Sequence, residues 1–374
     1  KCPTLEHLII IGEEREGWTC KEIASAAASD KFDRSMAPPT KAKDQMLIYF
    51  TSGTTSMPKM VARDHSYGLA HTITCNYWQG LRRDDIHWTL TDTGWAKAAW
   101  GIIFPPIIAG AAIMLYDAAG FDAEMHLKLI EKYQVTTFCA PPTVYRLFAQ
   151  MDVSGHDLSS IRHCIGAGEP LNPEAMRSWK AATGCDIHDG YGQTETVNIV
   201  ANYPGMEIRP GSMGKPVPGI DIGIIDDDGN VVENDTVGHI AVKITDPSPP
   251  GLFDGYFRDP DATAKSFRNG WYYTGDTATR DSDDYIWFVG RSDDIISSSG
   301  YRISPFEVES ALVEHPGVME SAVVGKPDAM RGEIVKAFII LAAGYEASDE
   351  LTVEIQDFGK NLTAPYKYPR EIAY

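Results

Sequence analysis

Residues 46–60 read MLIYFTSGTTSMPKM. The apolar run MLIYF is typical of a β-strand, and the nine residues 51–59 that begin at its end contain five hydroxyl side chains, one glycine and one lysine. A strand that leads into such a loop favours phosphate binding, because hydroxyl, amide and ammonium donors form strong hydrogen bonds with anionic oxygens. A Walker loop is excluded, since Pro58 rather than glycine stands directly before Lys59, and Met60 rather than serine or threonine follows it. A Ser/Thr-rich surface turn remains the alternative.

The bulk composition restricts the class of protein and its partners. The chain has 374 residues, of which 43% are apolar, and therefore suits a globular protein of two or more domains. Its formal net charge of -19 argues against nucleic acid and anionic membranes as partners, because both require a basic surface. Six cysteines lie far apart without a C-x-x-C spacing, which indicates reduced thiols of a cytoplasmic protein.

One uncharged run, residues 98–116, has the length of a membrane span. Pro105, Pro106 and Gly110 would interrupt a spanning helix, so we expect a buried helix, a turn and a core strand there. The chain begins at Lys1 without a signal peptide, and both of its ends fall close to strand-like runs. An internal fragment of a longer protein is therefore the expectation.

The order of the apolar runs predicts an α/β fold. From about residue 46 to residue 201, the strand-like runs MLIYF, AAIMLY, VTTFCA and IRHCIGAG alternate with helix-like stretches, a pattern that favours a largely parallel sheet. Residues 204–290 contain short β runs with a hairpin-turn candidate at Asp228 and Gly229. This second stretch therefore predicts a β subdomain.

A compact α+β pattern follows the β subdomain. Ser304, Pro305 and Glu307 form the sequence of a capping box, which predicts the start of a helix. We expect a large domain over residues 1–292 and a small domain over residues 293–374.

Two further stretches carry groups that suit a nucleotide. In DGYGQTET, residues 189–196, glycines flank Tyr191 and let its ring approach a flat ligand, while Glu195 offers an oxygen ligand to Mg²⁺. In YYTGDT, residues 272–277, the carboxylate of Asp276 can accept hydrogen bonds from both hydroxyls of a ribose, and GRSDD follows with an arginine that can offset phosphate charge. Taken alone, each stretch is also compatible with a turn, a hairpin loop or a surface ion pair.

Together the motifs resemble one family. Their order, YFTSGTTSMPK, GAGEPL, GYGQTE, YYTGDT and GRSDDIISSSGYRI, resembles the adenylate-forming (AMP-binding) superfamily of acyl-CoA synthetases, luciferases and peptide-synthetase adenylation domains. DTGWAKAAWG, FCAPPTVYRL and APYKYPR are most similar to the branch of acetyl- and medium-chain acyl-CoA synthetases. The resemblance implies a large N-terminal domain of α/β subdomains plus a β-barrel-like subdomain, and a small α+β C-terminal domain, both truncated here.

The resemblance also implies a two-step reaction. A short- or medium-chain carboxylate attacks the α-phosphate of ATP and expels pyrophosphate, and the thiol of CoA then attacks the acyl-adenylate and expels AMP. ATP, Mg²⁺ and CoA are the implied cofactors. Such chemistry depends on positioning and on charge neutralisation, which hydroxyl donors, Mg²⁺ and basic residues supply.

The family motifs assign roles in nucleotide binding. The residues expected to cover the β- and γ-phosphates are Thr51, Ser52, Gly53, Thr54, Thr55 and Lys59. The residues expected around the adenine are Gly166, Ala167, Gly168, Glu169, Pro170, Tyr191, Gly192 and Gln193, with Tyr191 stacked on the base. Thr194 and Glu195 would serve the phosphates and Mg²⁺, Asp276 would bind the ribose, and Arg291 would lie beside it.

The resemblance places the remaining roles near the small domain. Asp293 matches the hinge about which this domain turns between the two half-reactions. Gly300 and Tyr301 would line the pantetheine tunnel, Arg302 would face phosphate during adenylation, and Arg331 would meet the nucleotide end of CoA.

Four tryptophans and one tyrosine are expected either at the acyl pocket or in the core. Trp95 resembles a tryptophan near the acyl pocket of this branch and would limit chain length there, with a core position as the alternative. Tyr77, Trp78, Trp88 and Trp100 are expected in the core.

The sequence departs from the family pattern at three points. Ser56 stands where the phosphate loop usually has glycine, and Ser297 stands where lysine often follows the hinge. The adenylating lysine of the family is expected beyond Tyr374, so neither Lys360 nor Lys367 receives that role, and the chain alone is expected to adenylate poorly.

Several alternatives stay open. An aryl-CoA ligase or an adenylation domain that loads a carrier protein would use the same chemistry, and a nucleotide-binding relative without catalysis would keep part of it. The cytoplasm is the expected location, with the mitochondrial matrix as the alternative. The acid and the oligomeric state are not predicted.

Overall fold

The structure is a computed structural model. It describes residues 9–10, 16, 19–20, 35, 39–51, 58–117, 120–149, 151–168, 171, 173–299, 301–328 and 330–374. The chain divides into two compact units, Lys1–Asp44 and Gln45–Tyr374. The first unit contains the short parallel strands Ile9–Ile10 and Thr19–Cys20. The elements that follow all belong to the second unit.

The hydroxyl-rich loop connects the strands of an antiparallel hairpin. Gln45–Thr51 pairs with Lys59–Asp64, and the register sets Thr51 opposite Lys59. The prediction that MLIYF belongs to the parallel sheet is therefore wrong. Most of its residues are half-buried rather than fully buried, as expected for a hairpin that is covered on one face only.

A mixed sheet forms the centre of the α/β region. In spatial order its strands within the described residues are Lys215–Pro216, Asn198–Ala201, Ile187–Gly192, His163–Gly166, Thr137–Ala140, Ile86–Thr89 and Ala112–Met114. The strands from Ile187–Gly192 to Ala112–Met114 run parallel, and the first two run antiparallel to their neighbours. The predicted α/β fold with a largely parallel sheet is confirmed.

Residues 98–116 are interrupted, as the prolines predict. The π-helical turn Ala99–Ile103 leads into the helix Phe104–Ala109, which ends at Gly110 in the left-handed conformation. The strand Ala112–Met114 then lies at the edge of the sheet. The expectation of a buried helix and a core strand is wrong, because Ile107 is 65% exposed and an edge strand has a partner on one side only. Within the described ranges, every helix is too short or too polar to cross a membrane.

A second, antiparallel sheet follows. Its strands are Ile222–Ile225, Gly238–Lys243, Phe267–Arg268, Trp271–Arg280 and Ile286–Arg291. The predicted turn near Asp228 is present: the backbone N–H of Gly229 donates to the carbonyl of Asp226, with Gly229 at a φ of 89° that favours glycine. This sheet places Asp276 and Arg291 on adjacent strands.

The third sheet lies in the last quarter of the chain. Its strands are Ile296–Ser298, Tyr301–Ile303, Val318–Asp328, Gly332–Leu341 and Glu371–Ala373. The predicted helix starts after Ser304, whose hydroxyl accepts a hydrogen bond from the backbone N–H of Glu307 at 3.1 Å. Phe306 in this helix contacts Phe288 of the second sheet edge-to-face, with 6.0 Å between ring centroids. The division into a large domain over residues 1–292 and a small domain over residues 293–374 stays a prediction.

Helices cover the sheets and complete the cores. Those described are Ser66–Thr74, Phe104–Ala109, Ala123–Tyr133, Pro142–Ala149, Pro173–Thr183, Pro260–Ser266, Pro305–Leu312 and Asp349–Leu362, with π-helical turns at Cys75–Gln79 and Ala99–Ile103 and a 3₁₀ turn at Val153–Gly155. Trp88, Phe138 and Trp179 belong to a core on one side of the mixed sheet, and Trp78 and Tyr272 to another. A separate core contains Ile303, Leu312 and Ile355.

Candidate active site

A cavity of about 670 Å³ opens at the ends of the parallel strands. Leu90, Pro141 and Ala167 line it, and each directly follows the last residue of a parallel strand. Open α/β sheets bind their ligands at the carboxyl ends of their strands. The topology therefore makes this cavity the candidate site.

Four polar residues line one part of the cavity, and we call Tyr191, Gln193, Asp276 and Arg291 its polar group. The hydroxyl of Tyr191 donates to Oδ2 of Asp276 at 2.5 Å, and Nε2 of Gln193 donates to the same oxygen at 2.8 Å. Nη1 of Arg291 lies 3.7 Å from Oδ1. Two donors thus hold one oxygen of the carboxylate, while the other oxygen lies beside a cation.

The electrostatics of Asp276 follow from its position. Asp276 is 5% exposed, and burial raises the pKa of its carboxyl group, while Tyr191 and Arg291 act in the opposite direction. Burial and the charge of Asp276 raise the pKa of Tyr191 well above its usual value. The hydroxyl of Tyr191 therefore stays a proton donor to Asp276 at neutral pH.

The backbone of the second sheet aligns Asp276 with Arg291, which are direct partners in the strand register. Gly275 has a φ of 81°, a conformation that favours glycine immediately before Asp276. Nε of Arg291 lies 3.3 Å from Oδ1 of Asp293, the predicted hinge residue. Asp293 lies in the turn between Ile286–Arg291 and Ile296–Ser298.

Glu195 lies apart from the polar group. Thr194 lines the cavity, as do Gly192 and Gln193, but Glu195 does not, and its Oε1 accepts a hydrogen bond from the hydroxyl of Tyr256 at 2.9 Å. Nζ of Lys59 lies 4.8 Å from the centroid of the Tyr256 ring. The fold thus brings Lys59, at the end of the hydroxyl-rich loop, close to the residue that holds Glu195.

A buried arginine joins the same region. Nη1 of Arg63 donates to the carbonyl of Glu195 at 2.9 Å, and Nη2 donates to the carbonyl of Gly251 at 2.5 Å. Its guanidinium lies 3.9 Å from the ring centroid of Tyr67. Arg63 is 3% exposed, and burial lowers its pKa, although it stays a cation at neutral pH. Sequence reasoning missed this residue, because no motif marks it.

Thr51 and Lys59 are the described ends of the predicted phosphate loop. Its interior residues Ser52, Gly53, Thr54 and Thr55 lie outside the described residues, as does the departure at Ser56.

The predicted adenine-binding stretch follows the strand His163–Gly166. Ala167 and Gly168 line the cavity, and Gly168 has a φ of 111°. Gly166 is the last residue of the strand and does not line the cavity. Glu169 and Pro170 lie outside the described part of the chain.

Tyr301 and Arg331, two of the residues predicted to handle CoA, do not line the cavity. The ring of Tyr301 stacks on that of Tyr366, with 4.1 Å between centroids. Nη1 of Arg331 donates to the hydroxyl of Ser299 at 3.4 Å. Gly300 and the side chain of Arg302 lie outside what the structure describes. Neither Tyr301 nor Arg331 is brought together with Asp276.

Aromatic side chains line the rest of the cavity. Trp95 is 63% exposed and lines it, which rules out the core alternative. Trp78 and Trp100 line it too, with 5.1 Å between their ring centroids, and we call these two the aromatic wall. Trp88 is a core residue as expected. The expected core position is wrong for two residues. Trp100 is half-buried at the cavity, and Tyr77 is 41% exposed.

Sequence reasoning did not identify three further residues that line the cavity, Lys97, Asp189 and Asn198. Nζ of Lys97 donates to the carbonyl of Ala167 at 3.0 Å, and the spacing of Lys97 two residues after Trp95 could have indicated it. Asp189 precedes the predicted Tyr191 motif and lines the cavity, where burial raises the pKa of its carboxyl group to about 8. Asn198 also lines the cavity at the start of its strand.

Two family models match the chain. One, described as AMP-binding enzyme, matches residues 2–257, and the other, described as AMP-binding enzyme C-terminal domain, matches residues 307–374. The chain belongs to the AMP-binding enzyme family. Its fold is accordingly that of the adenylate-forming enzymes, and the resemblance drawn from the ordered motifs is confirmed.

Curated relatives in this family cover the whole chain. It is 47% identical to the mitochondrial acyl-coenzyme A synthetase ACSM3 of Rattus norvegicus over 100% of its own length and 65% of that protein. It is 45% identical to the mitochondrial acyl-coenzyme A synthetase ACSM5 of Homo sapiens over the same shares. The chain thus spans 65% of the length of these relatives.

Solved structures of the family have the same fold. The anthranilate CoA ligase AuaEII in complex with anthranoyl-AMP is 35% identical, with a TM-score of 0.90 over 99% of this chain and 70% of that one. An acyl-CoA synthetase from Brucella canis is 40% identical, with a TM-score of 0.72 over 96% of this chain and 66% of that one.

Proposed function

We propose that the protein is an AMP-forming acid–CoA ligase. It would join a carboxylic acid to ATP as an acyl-adenylate with release of pyrophosphate, and then transfer the acyl group to CoA with release of AMP. One observation carries this proposal: the buried Asp276, anchored by Tyr191 and Gln193, lines the same cavity as an aromatic wall. A nucleotide needs a carboxylate that binds its ribose, and a carboxylic acid needs an apolar compartment for its hydrophobic part. This cavity offers both.

The polar group would bind the nucleoside. Oδ1 of Asp276 would accept hydrogen bonds from the ribose hydroxyls, because Oδ2 already accepts from Tyr191 and Gln193. The ring of Tyr191 would stack on the adenine across from Ala167 and Gly168. Arg291, half-exposed beside Asp276, would offset phosphate charge.

The region around Lys59 and Glu195 would bind the phosphates. Thr51, Ser52, Gly53, Thr54 and Thr55 would contribute donors with Lys59, and Thr194 would add one from the cavity side. Among the described residues, no group of three or more His, Cys, Asp or Glu side chains could hold a metal by itself. Glu195 nevertheless fits Mg²⁺, which proteins bind through one or two carboxylates together with substrate phosphates. The metal would neutralise phosphate charge there.

CoA would enter from the side of the small domain. Arg302 would contact phosphate during adenylation, and a rotation about Asp293 would then bring Gly300 and Tyr301 to the thiol and Arg331 to the nucleotide of CoA. The exposed stack of Tyr301 on Tyr366 supports this role, because it leaves an aromatic face available for a ligand.

The acid is proposed to be of short or medium chain length, in line with the acyl-coenzyme A synthetases among its relatives. An aryl acid is the second candidate, since the anthranilate CoA ligase at a TM-score of 0.90 acts on an aromatic acid. Loading of a carrier protein and nucleotide binding without catalysis are the remaining alternatives. The names of the curated relatives place those proteins in mitochondria, which supports the mitochondrial alternative for this one over the cytoplasm.

The experiment uses the complete gene product with MgATP, CoA and a panel of linear C2 to C10 and aromatic acids, with products identified by mass spectrometry. We expect acyl-CoA and AMP in equal amounts. Asp276→Asn should reduce turnover at least tenfold, whereas Asp228→Asn, an exposed carboxylate in a turn, should not. AMP without a thioester would indicate a different acceptor, and the absence of AMP with every acid would contradict the proposal.

A further inference from the structure

The side-chain amide of Gln193 connects three alternate residues of the strand Trp271–Arg280. The hydroxyl of Tyr272 donates to Oε1 of Gln193 at 3.0 Å. Nε2 of Gln193 donates to the carbonyl of Thr274 at 2.9 Å and to Oδ2 of Asp276 at 2.8 Å. Both hydrogens of the amide nitrogen are thus used inside the protein. Although Gln193 lines the cavity, its amide acts on this strand rather than on a bound base.

These hydrogen bonds permit one orientation of the amide. The opposite orientation would set Oε1 against the carbonyl of Thr274 and the carboxylate of Asp276, two groups that can only accept. Oε1 therefore faces Tyr272, and the phenol is the donor in that hydrogen bond.

Tyr272 stands one layer behind the residues that line the cavity. It is 1% exposed and does not line the cavity itself. Its ring contacts the rings of Phe253 and Phe267, with 5.3 Å and 5.2 Å between centroids. Burial raises the pKa of Tyr272 well above its usual value, so the hydroxyl keeps its proton at neutral pH. A closely packed ring with a protonated hydroxyl is a fixed donor to Gln193.

The carboxylate of Asp276 is held through the same chain of hydrogen bonds. Its Oδ2 accepts from Gln193 and from Tyr191, and these two donors fix the rotation of the carboxylate. Oδ1 is thereby aimed in one direction. Without the hydroxyl of Tyr272, Oε1 of Gln193 would have no donor, and the amide would be held from one side only.

We infer that Tyr272 is a positioning residue that acts through Gln193 on Asp276 and thereby sets the selectivity of the site for ribose over deoxyribose. This inference rests on the proposed function, in which Oδ1 of Asp276 accepts from the ribose hydroxyls, and it adds the residues that make this acceptor selective. Sites that hydrogen-bond a substrate hydroxyl reject the analogue without it, because their own polar group is then left without a partner.

The test measures binding, so it does not depend on turnover. The complete gene product is titrated calorimetrically with AMP, 2′-deoxy-AMP and 3′-deoxy-AMP, and the selectivity is the dissociation constant for a deoxynucleotide divided by that for AMP. In the unaltered protein we expect a selectivity of about ten for the more weakly bound deoxynucleotide, which corresponds to about 1.4 kcal/mol. Tyr272→Phe keeps the ring and removes the hydroxyl alone, and it should lower this selectivity about fivefold.

Tyr273→Phe is the matched control, because Tyr273 is also buried but its hydroxyl accepts from Nδ2 of Asn269. It should leave the selectivity unchanged. Gln193→Met keeps a similar volume without the amide and should lower the selectivity as Tyr272→Phe does. In the Gln193→Met background, Tyr272→Phe should have no further effect on selectivity, because the two residues act in one chain.

Melting curves of all variants separate positioning from stability, since a purely structural role of Tyr272 would lower the melting temperature and leave the selectivity unchanged. If Tyr272→Phe does not fold, Gln193→Met decides. Unaltered selectivity in the deciding variant would overturn the inference alone, as would equal binding of AMP and both deoxynucleotides to the unaltered protein. Failure of the unaltered protein to bind AMP would overturn the proposed function and the inference with it.

Discussion

Tyr191 and Asp276 are 85 residues apart in the sequence, yet the hydroxyl of Tyr191 donates to Oδ2 of Asp276 at 2.5 Å. Tyr191 lies in the last parallel strand of the mixed sheet, and Asp276 lies in the antiparallel sheet that follows it. The hydrogen bond thus connects the two sheets at the cavity. It explains why a residue expected to stack on a base also orients the carboxylate expected to bind the ribose.

The first prediction concerns this pair. Tyr191→Phe keeps the ring but removes the donor to Asp276, so we expect the dissociation constant for AMP to rise about tenfold. In an Asp276→Asn background the same change should have a much smaller effect, because the pair acts as a unit. Calorimetric titration with AMP of the unaltered protein, the two single variants and the double variant measures the coupling energy between Tyr191 and Asp276. Tyr273→Phe serves as a control outside the cavity lining. Additive effects of the two substitutions on the free energy of AMP binding would contradict the role of this hydrogen bond.

The second prediction concerns the buried Arg63. Arg63→Met removes the donors to the carbonyls of Glu195 and Gly251, and hydrogen bonds from a charged group contribute about 1.5–3 kcal/mol each. We expect the free energy of unfolding to fall by about 3 kcal/mol, measured by urea denaturation. Arg82→Met, at an exposed position, should change it by less than about 0.5 kcal/mol. Equal effects of both substitutions would contradict the assigned role of Arg63.

The third prediction concerns two buried histidines whose ring centroids lie 4.1 Å apart, His163 and His188. Nε2 of His163 donates to the carbonyl of Trp78 at 2.8 Å, and Nδ1 of His188 donates to the carbonyl of Asn202 at 3.0 Å. Burial lowers the pKa of His163 to about 3, and burial also lowers the pKa of His188. The ring of His163 is therefore neutral in the folded protein at mildly acidic pH.

The unfolded chain binds protons on these residues below about pH 6.5, whereas the folded protein does not bind one on His163 until about pH 3. The free energy of unfolding should therefore fall as the pH falls through this window, with roughly 3 kcal/mol from His163 at pH 4. Denaturant titrations between pH 7 and pH 4 measure the slope. His163→Gln keeps a donor without a titrating ring and should flatten this slope. An unchanged slope in His163→Gln would disprove the explanation.

The fourth prediction separates two tryptophans of the same cavity. Trp95 is 63% exposed, so Trp95→Ala should barely change the melting temperature but should shift the acid preference toward longer or bulkier acids. Trp78 is 2% exposed, and Trp78→Ala should cost about 3–5 kcal/mol of stability because it leaves a cavity in the core. Melting curves and turnover of the C2 to C10 acids test both. A preference unaltered by Trp95→Ala would exclude Trp95 from the acid-binding surface.

The sequence predicted the elements whose signals are local. The capping residue Ser304 and the turn at Gly229 appear where their side chain and backbone requirements place them. The edge position of Ala112–Met114 was not predictable, because an apolar run looks the same in the centre and at the edge of a sheet. The hairpin of MLIYF was misassigned for a related reason: pairing direction depends on a partner elsewhere in the chain.

The site shows the same division between local and long-range information. Ordered motifs pointed to Tyr191, Gln193, Asp276 and Arg291, and the fold brings these four together. Arg63 belongs to no motif, and its importance depends on which carbonyl groups and which ring surround it after folding. Tyr256, which donates to Glu195, could not be assigned from spacing either, since 61 residues separate them.

The most direct test of the account follows the oxygen atoms of the acid. The complete gene product is given a substrate acid labelled with ¹⁸O in both carboxylate positions, together with MgATP and CoA, and the nucleotide is analysed by mass spectrometry. If the carboxylate attacks the α-phosphate, the AMP formed carries one ¹⁸O atom. Label in inorganic phosphate with ADP as the nucleotide, or AMP without label, would contradict an acyl-adenylate formed at this cavity.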